Sequence, residues 1–173
     1  MKKLVLIGYM GAGKSTVGQA LAKRMQVLFW DLDAYIEEKQ KRSISEIFAQ
    51  DGEESFRQLE TKYLKELLER EEDGVLSAGG GLPLRKENRE LLKKAGYTVY
   101  LLVSKETVLE RLKEDGSRPL LQVADREARI EEMLRIRHPI YLEAANISIV
   151  TDGRTIEEIV EEILGNSYFG KNS

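Results

Sequence analysis

Five short apolar runs punctuate the chain, separated by longer stretches with helical periodicity. The runs are Lys3–Gly8, Val27–Asp31, Val75–Ser77, Thr98–Val103 and Ile147–Thr151. Their nearly unbroken apolar character predicts strands covered on both faces. Between them lie clear helix signals. Ser43-Ile-Ser-Glu46 and Thr155-Ile-Glu-Glu158 are capping boxes. Ser104 is placed to N-cap a helix over Lys105–Lys113, Arg85–Ala95 ends at Gly96 with a C-cap signal, and Glu53–Glu71 reads as one helix. On a further helix Ile130, Met133, Leu134, Arg137 and Tyr141 share a face, and Pro139 is expected to kink or end it. Strands alternating with helices predict an α/β domain, a parallel sheet covered by helices. Two stretches break the alternation: Glu114–Asp125, with Gly and Pro, has the character of a lid, and residues 165–173 read as a frayed tail.

Length fits this picture: 173 residues suggest one domain with a sizeable core. No apolar stretch is long enough to cross a bilayer. The start, Met1-Lys-Lys-Leu-Val-Leu-Ile, superficially resembles a signal peptide, but its apolar run stops too soon. It is read as a first strand, and the protein is expected to be cytoplasmic. Cysteine is absent, which excludes disulfides and thiolate metal sites, and the single His138 excludes a histidine-cluster site. His138 is expected to be structural or exposed. The net charge of −3, with both signs interspersed and no basic block, argues against general nucleic-acid binding.

The most specific motif is Gly8-Tyr-Met-Gly-Ala-Gly13-Lys14-Ser15, which fits G-x-x-x-x-G-K-[ST], the phosphate-binding P-loop. It follows a strand-like run and precedes the helical Thr16-Val-Gly-Gln-Ala-Leu-Ala-Lys23, the context that motif requires. Converging backbone N–H groups and a helix N-terminus favour an anion. Lys14 would reach the β- and γ-phosphates, and the Ser15 hydroxyl would hold Mg²⁺. The motif therefore names a nucleoside triphosphate and a metal, not an acceptor.

Other residues suggest the acceptor. Asp31-Leu-Asp33 closes the second strand; in extended chain both carboxylates share a face at the ligand end of the sheet. Asp31 would suit Mg²⁺ and Asp33 an acceptor hydroxyl, although either could simply cap the next helix. Arg57 and Glu60, three apart on a helix, are an exposed ion pair or a carboxylate holding a guanidinium for an anionic substrate. Ser77-Ala-Gly79-Gly80-Gly81 ends a buried strand in three glycines, a flexible turn or a place of close backbone approach. Ser77 could bind a water on the metal. Arg118, in the lid stretch, is solvated or closes over phosphates. Arg137 lies on an apolar stripe and needs an anionic partner, from substrate or protein. Arg154, after the last strand, is in a solvated turn or stacks on a base.

Together these residues resemble the shikimate kinases, over almost the whole chain. The resemblance rests on G-Y-M-G-A-G-K-S-T, D-L-D, F-R-x-x-E, S-A-G-G-G, R-P-L-L and R-H-P-I-Y-x-x-x-A in that order. It implies phosphorylation of the shikimate 3-hydroxyl by ATP, in the chorismate pathway to aromatic amino acids. It implies a P-loop kinase fold, a three-layer α/β/α sandwich with a five-stranded parallel sheet, an acceptor-binding region near residues 32–60 and a lid near 113–125. Position by position, Asp33, Arg57, Gly80 and Arg137 match shikimate contacts, supported by Gly79, Gly81 and Glu60. Ser15 and Asp31 match the Mg²⁺ site. Gly11, Ala12, Gly13, Lys14, Ser15 and Thr16 match the phosphate cradle. Arg118 matches the lid arginine, and Arg111 and Arg154 match residues beside adenine. Thr155-Ile156 departs from the pattern, because many relatives carry proline there.

Lys14, Asp33 and Arg118 are thus the expected catalytic residues. The expected partners are ATP and shikimate, with no nucleic acid or membrane, and the chain is expected to act as a monomer. A gluconate or nucleoside monophosphate kinase of the same fold is the alternative enzyme. A nucleotide-binding regulator is disfavoured, since the guanine-specific N/T-K-x-D pattern is absent.

Overall fold

The computed structural model describes residues 3–114 and 125–166. The apolar runs form β1 (Lys3–Ile7), β2 (Leu28–Asp31), β3 (Gly74–Ser77), β4 (Gly96–Leu102) and β5 (Ile147–Val150). All pair in parallel in the order β2-β3-β1-β4-β5. Val5 of β1 lies opposite Leu76 on one side and Thr98 on the other. The central position explains the unbroken run: Leu4, Val5, Leu6 and Ile7 have no exposed surface. Even Lys3 is buried, its Nζ donating 2.6 Å to the carbonyl of Arg70. Edge strands are wetter, with Leu28 and Val150 about half exposed.

The helices are α1 (Lys14–Met25), α2 (Leu32–Gln40), α3 (Ile44–Asp51), α4 (Glu53–Glu69), α5 (Lys86–Ala95), α6 (Lys105–Glu114), α7 (Arg126–Ala144) and α8 (Ile156–Asn166). The crossover from β1 through α1 to β2 runs one way along the sheet, and that from β3 through α5 to β4 runs the other. Right-handed crossovers therefore put α1 and α5 on opposite faces. Helix α8 packs against α1, while α4 and α7 pack against α5, completing three layers. The chain reverses direction at β1, so a crevice opens at its carboxyl end. The P-loop leaves β1 there, and the glycine run leaves β3 beside it.

Several local expectations change. Helix α2 begins at Leu32, so Asp33 sits in a helical first turn and not in extended chain. Pro139 does not end its helix: α7 continues to Ala144. Gly96 caps α5 as the sequence indicated, its amide donating to the Leu92 carbonyl, but it does so in extended conformation (φ −146°) and starts β4 directly. A Cβ there would lie 2.9 Å from the Lys3 carbonyl, so glycine permits close strand approach. Gly165 and Asn166, placed by sequence in a frayed tail, are the last two residues of α8. The Ser43, Ser104 and Thr155 caps all form, through bonds to the amides of Glu46, Thr107 and Glu158. Arg118 and most of the lid stretch lie outside the described residues.

Candidate active site

The P-loop conformation follows from its glycines. Gly11 (φ 79°) and Gly13 (φ 86°) are left-handed, a region that side chains with a Cβ rarely adopt. Gly13 caps α1 without a side-chain bond, and the first turn holds no acidic residue. The helix thus presents its first-turn amides and the positive end of its dipole to the loop, with Thr16 exposed beside them. Ala12 is buried and fixes the loop from below, its amide donating to the Tyr9 carbonyl at 3.2 Å. Lys14 curls back over the loop, donating to the carbonyls of Gly8 (2.7 Å) and Tyr9 (3.2 Å).

Ser15 and Asp31 meet as the sequence suggested. The Ser15 hydroxyl donates to Asp31 Oδ2 at 2.6 Å and lies 3.4 Å from the Ser77 hydroxyl. Asp31 also accepts from the Ala34 amide through Oδ1, at 3.1 Å. It is therefore a helix cap and a partner of Ser15 at once. Among the described residues no cluster of three acidic or histidine side chains could hold a metal. The Ser15–Asp31 pair with Ser77 is instead an all-oxygen set of the kind a hard cation takes when it keeps several waters.

On the acceptor side, each glycine of Gly79–Gly81 faces a different polar side chain. A Cβ on Gly79 would lie 3.0 Å from Glu60 Oε2 and 3.3 Å from Asp33 Oδ1. One on Gly80 would lie 3.4 Å from Arg137 Nη1 and 3.6 Å from the Gly8 carbonyl. One on Gly81 would lie 2.5 Å from Arg57 Nη1. None of the three has positive φ. The run is glycine because side chains crowd it, not because it turns sharply, and it lies beside the P-loop carbonyl of Gly8.

The charges in this corner are unequally matched. Glu60 is 1% exposed and accepts from Arg57 Nη1 at 2.6 Å. Burial raises the Glu60 pKa, opposed chiefly by its bond to Arg57. Asp33 is also raised, by burial first and then by Asp31, with Lys14 and Arg57 pulling it down. Arg57 is thus pinned by a buried carboxylate and is no surface ion pair. Arg137 has no carboxylate partner among the described residues, and its guanidinium sits 5.7 Å above the Tyr9 ring. The even choice left by the sequence, substrate or protein carboxylate, thus turns toward an external anion.

Two further predicted arginines, Arg111 and Arg154, lie among the described residues. Arg111, on α6, donates to the Gly11 carbonyl. Arg154 pairs with Glu162 and donates to the carbonyls of Val150 (3.1 Å) and Glu158 (3.3 Å). Asp152 accepts from both Ser104 and Thr107, fastening the start of α6 to the turn after β5.

Sequence reasoning missed three residues. Tyr141, taken only as apolar, has no exposed surface and donates 2.6 Å to the Gly80 carbonyl. Its spacing four residues from Arg137 was the available signal. Asn88 is buried, joining Thr61 of α4 to the Leu82 carbonyl and so tying the end of the glycine run to α4. Tyr9 occupies a position where the P-loop pattern accepts any residue, and nothing in the sequence marked it. His138 is structural, its Nδ1 lying 2.9 Å from the Tyr100 hydroxyl.

Comparison with known proteins agrees with this arrangement. A family model described as shikimate kinase matches residues 10–167. A shikimate kinase of Thioalkalivibrio sulfidiphilus is 44% identical over 170 residues, covering 98% of this chain and 88% of that one. Another, from Thermodesulfovibrio yellowstonii, is 44% identical over 164 residues, covering 95% and 94%. The solved shikimate kinase from Acinetobacter baumannii, in complex with shikimate, superposes with a TM-score of 0.90 at 39% identity, covering 100% and 96%.

Proposed function

Because this chain belongs to the shikimate kinase family, we propose that it transfers the γ-phosphoryl group of ATP to the 3-hydroxyl of shikimate. The carrying observation is the convergence of Asp33, Glu60, Arg57 and Arg137 on Gly79–Gly81, with Gly80 beside the P-loop carbonyl of Gly8. One crevice thereby offers an anion cradle for the donor and two arginines and a carboxylate for an acceptor.

In this reading Gly11, Ala12, Gly13, Lys14, Ser15 and Thr16 hold the phosphates. The Lys14 amine exchanges its bonds to Gly8 and Tyr9 for phosphate oxygens. Arg111 and Arg154 border the adenine side, and Arg118 serves as the closing arginine. Arg57 and Arg137 grip the shikimate carboxylate through charge-assisted bonds. Gly79, Gly80 and Gly81 leave room for them, and Glu60 fixes Arg57. Asp33 orients the 3-hydroxyl and accepts its proton; its raised pKa makes it a stronger base than an ordinary carboxylate.

Ser15 and Asp31 would hold Mg²⁺, consistent with their oxygen donors. When bound with ATP, the ion would neutralise phosphate charge. Use of ATP supports a cytoplasmic location, and no described helix is long and apolar enough to cross a membrane.

The test is ADP release with shikimate, gluconate and nucleoside monophosphates offered as acceptors. Strong turnover with shikimate alone is expected. Turnover with another acceptor, or none with a folded chain that binds ATP, would sink the proposal.

A further inference from the structure

The two arginines of the acceptor corner are held in opposite electrical ways. Arg57 is neutralised by the buried Glu60 at 2.6 Å. Arg137 has no such partner among the described residues; its guanidinium lies over the face of Tyr9 and beside the Gly80 backbone. Tyr9 is 1% exposed, so its ring is fixed. Its hydroxyl donates to Met133 Sδ at 3.4 Å. Met133 stands one helical turn before Arg137 on the same face of α7. A single P-loop side chain therefore spans the turn of α7 that presents the arginine.

We infer that Tyr9 is a positioning residue for the acceptor: its ring face holds Arg137 in place while leaving its positive charge uncompensated. A carboxylate would have fixed the arginine equally well and cancelled the charge. The negative face of an aromatic ring attracts a guanidinium without carrying a net charge. The guanidinium thus keeps its full pull on an incoming anion. Tyr9 also joins the two halves of the crevice, since its carbonyl accepts from Lys14 and its side chain faces Arg137.

This inference rests on the proposed role of Arg137 in binding the shikimate carboxylate, and its test separates the two. Tyr9→Leu should raise the KM for shikimate by about 3- to 30-fold, the range of a partly to fully desolvated cation–π contact. The KM for ATP and kcat should stay close to those of the unaltered chain, because the Tyr9 side chain meets Met133 and Arg137, while the proposed phosphate contacts come from loop amides and Lys14. Tyr9→Phe keeps the ring and should recover most of the loss. Placing increasingly fluorinated phenylalanines at position 9, which drain the ring face at nearly constant shape, should raise the KM stepwise. That series decides the matter even if Tyr9→Leu does not fold. In an Arg137→Ala background, Tyr9→Leu should add nothing. A flat fluorine series, or an equal Tyr9→Leu effect with and without Arg137, overturns the inference. An Arg137→Ala chain with an unchanged KM for shikimate overturns the reading of Arg137 itself, and the inference with it.

Discussion

Replacing Gly81 with alanine would put a methyl group 2.5 Å from Nη1, 2.7 Å from Nη2 and 2.8 Å from Cζ of Arg57. Ordinary contacts begin near 3.5 Å, so the guanidinium must retreat by about 1 Å. A flexible arginine could do so cheaply. This one is held at 2.6 Å by Glu60, which is 1% exposed and cannot follow into water. Breaking a fully buried pair costs about 3–5 kcal/mol. The Arg57 side chain keeps 20% of its surface, so about 1–3 kcal/mol is appropriate here. Gly81 has φ −88°, which alanine adopts without strain. The substitution therefore returns about 0.4–1 kcal/mol through the unfolded chain.

The net expectation is a destabilisation of about 0–2.6 kcal/mol, a fall in melting temperature of up to roughly 10 °C for a domain of this size. Function should suffer more. Displacing a substrate-gripping group by this distance costs on the order of 10-fold to 100-fold. It should appear as a raised KM for shikimate in the ADP-release assay, with ATP affinity retained. Gly79→Ala should be milder and Gly80→Ala milder still, following would-be contacts of 3.0 Å and 3.4 Å. Wild-type kinetics and melting for Gly81→Ala would refute the idea that the run is glycine to accommodate Arg57.

Asp33→Asn should lower turnover by about 10²- to 10⁴-fold while sparing ATP binding. Because burial raises the Asp33 pKa, the folded chain binds that proton more tightly than the unfolded one, so this group's contribution to stability falls as pH rises from the ordinary carboxylate value through the folded one. The variant should therefore melt higher than its parent at neutral pH, with the gap closing toward about pH 3; a variant that melts lower at neutral pH contradicts the assignment. Tyr141→Phe leaves the Gly80 carbonyl without its 2.6 Å partner and should cost about 1–3 kcal/mol in denaturant unfolding, with a raised KM for shikimate. Unchanged values on both counts would reduce Tyr141 to core packing.

What the sequence disclosed was mostly the periodic and the local. The five strands of the sheet were visible because buried parallel strands are apolar along their whole length. The capping boxes at Ser43 and Thr155 were visible because they close within one turn. Misreadings arose where a distant contact overrides a local preference. Gly96 reads as a helix cap and is one, but its second role, as the first residue of β4 packed close to the Lys3 carbonyl, was not visible. Pro139, expected to kink or end its helix, does not end it: α7 continues past it, held on the core by Ile130, Tyr141 and Ala144. The same holds at the crevice. Arg57 and Glu60 were legible as neighbours three residues apart, whereas the burial that makes them more than a surface pair was not. Tyr9 lies 128 positions before Arg137, and only the packing of α7 brings them together.

The place of β1 in the sheet also bears on how the protein is made. This strand leaves the ribosome well before its partners, residues 75–77 and 96–100. At about 5–20 residues per second, the Leu4–Ile7 segment waits several seconds before either neighbour exists. During that time a short apolar strand with both edges open is a template for association with other nascent chains. The P-loop, anchored at the end of β1, gains its final support only after residues 96–100 have been added to the chain.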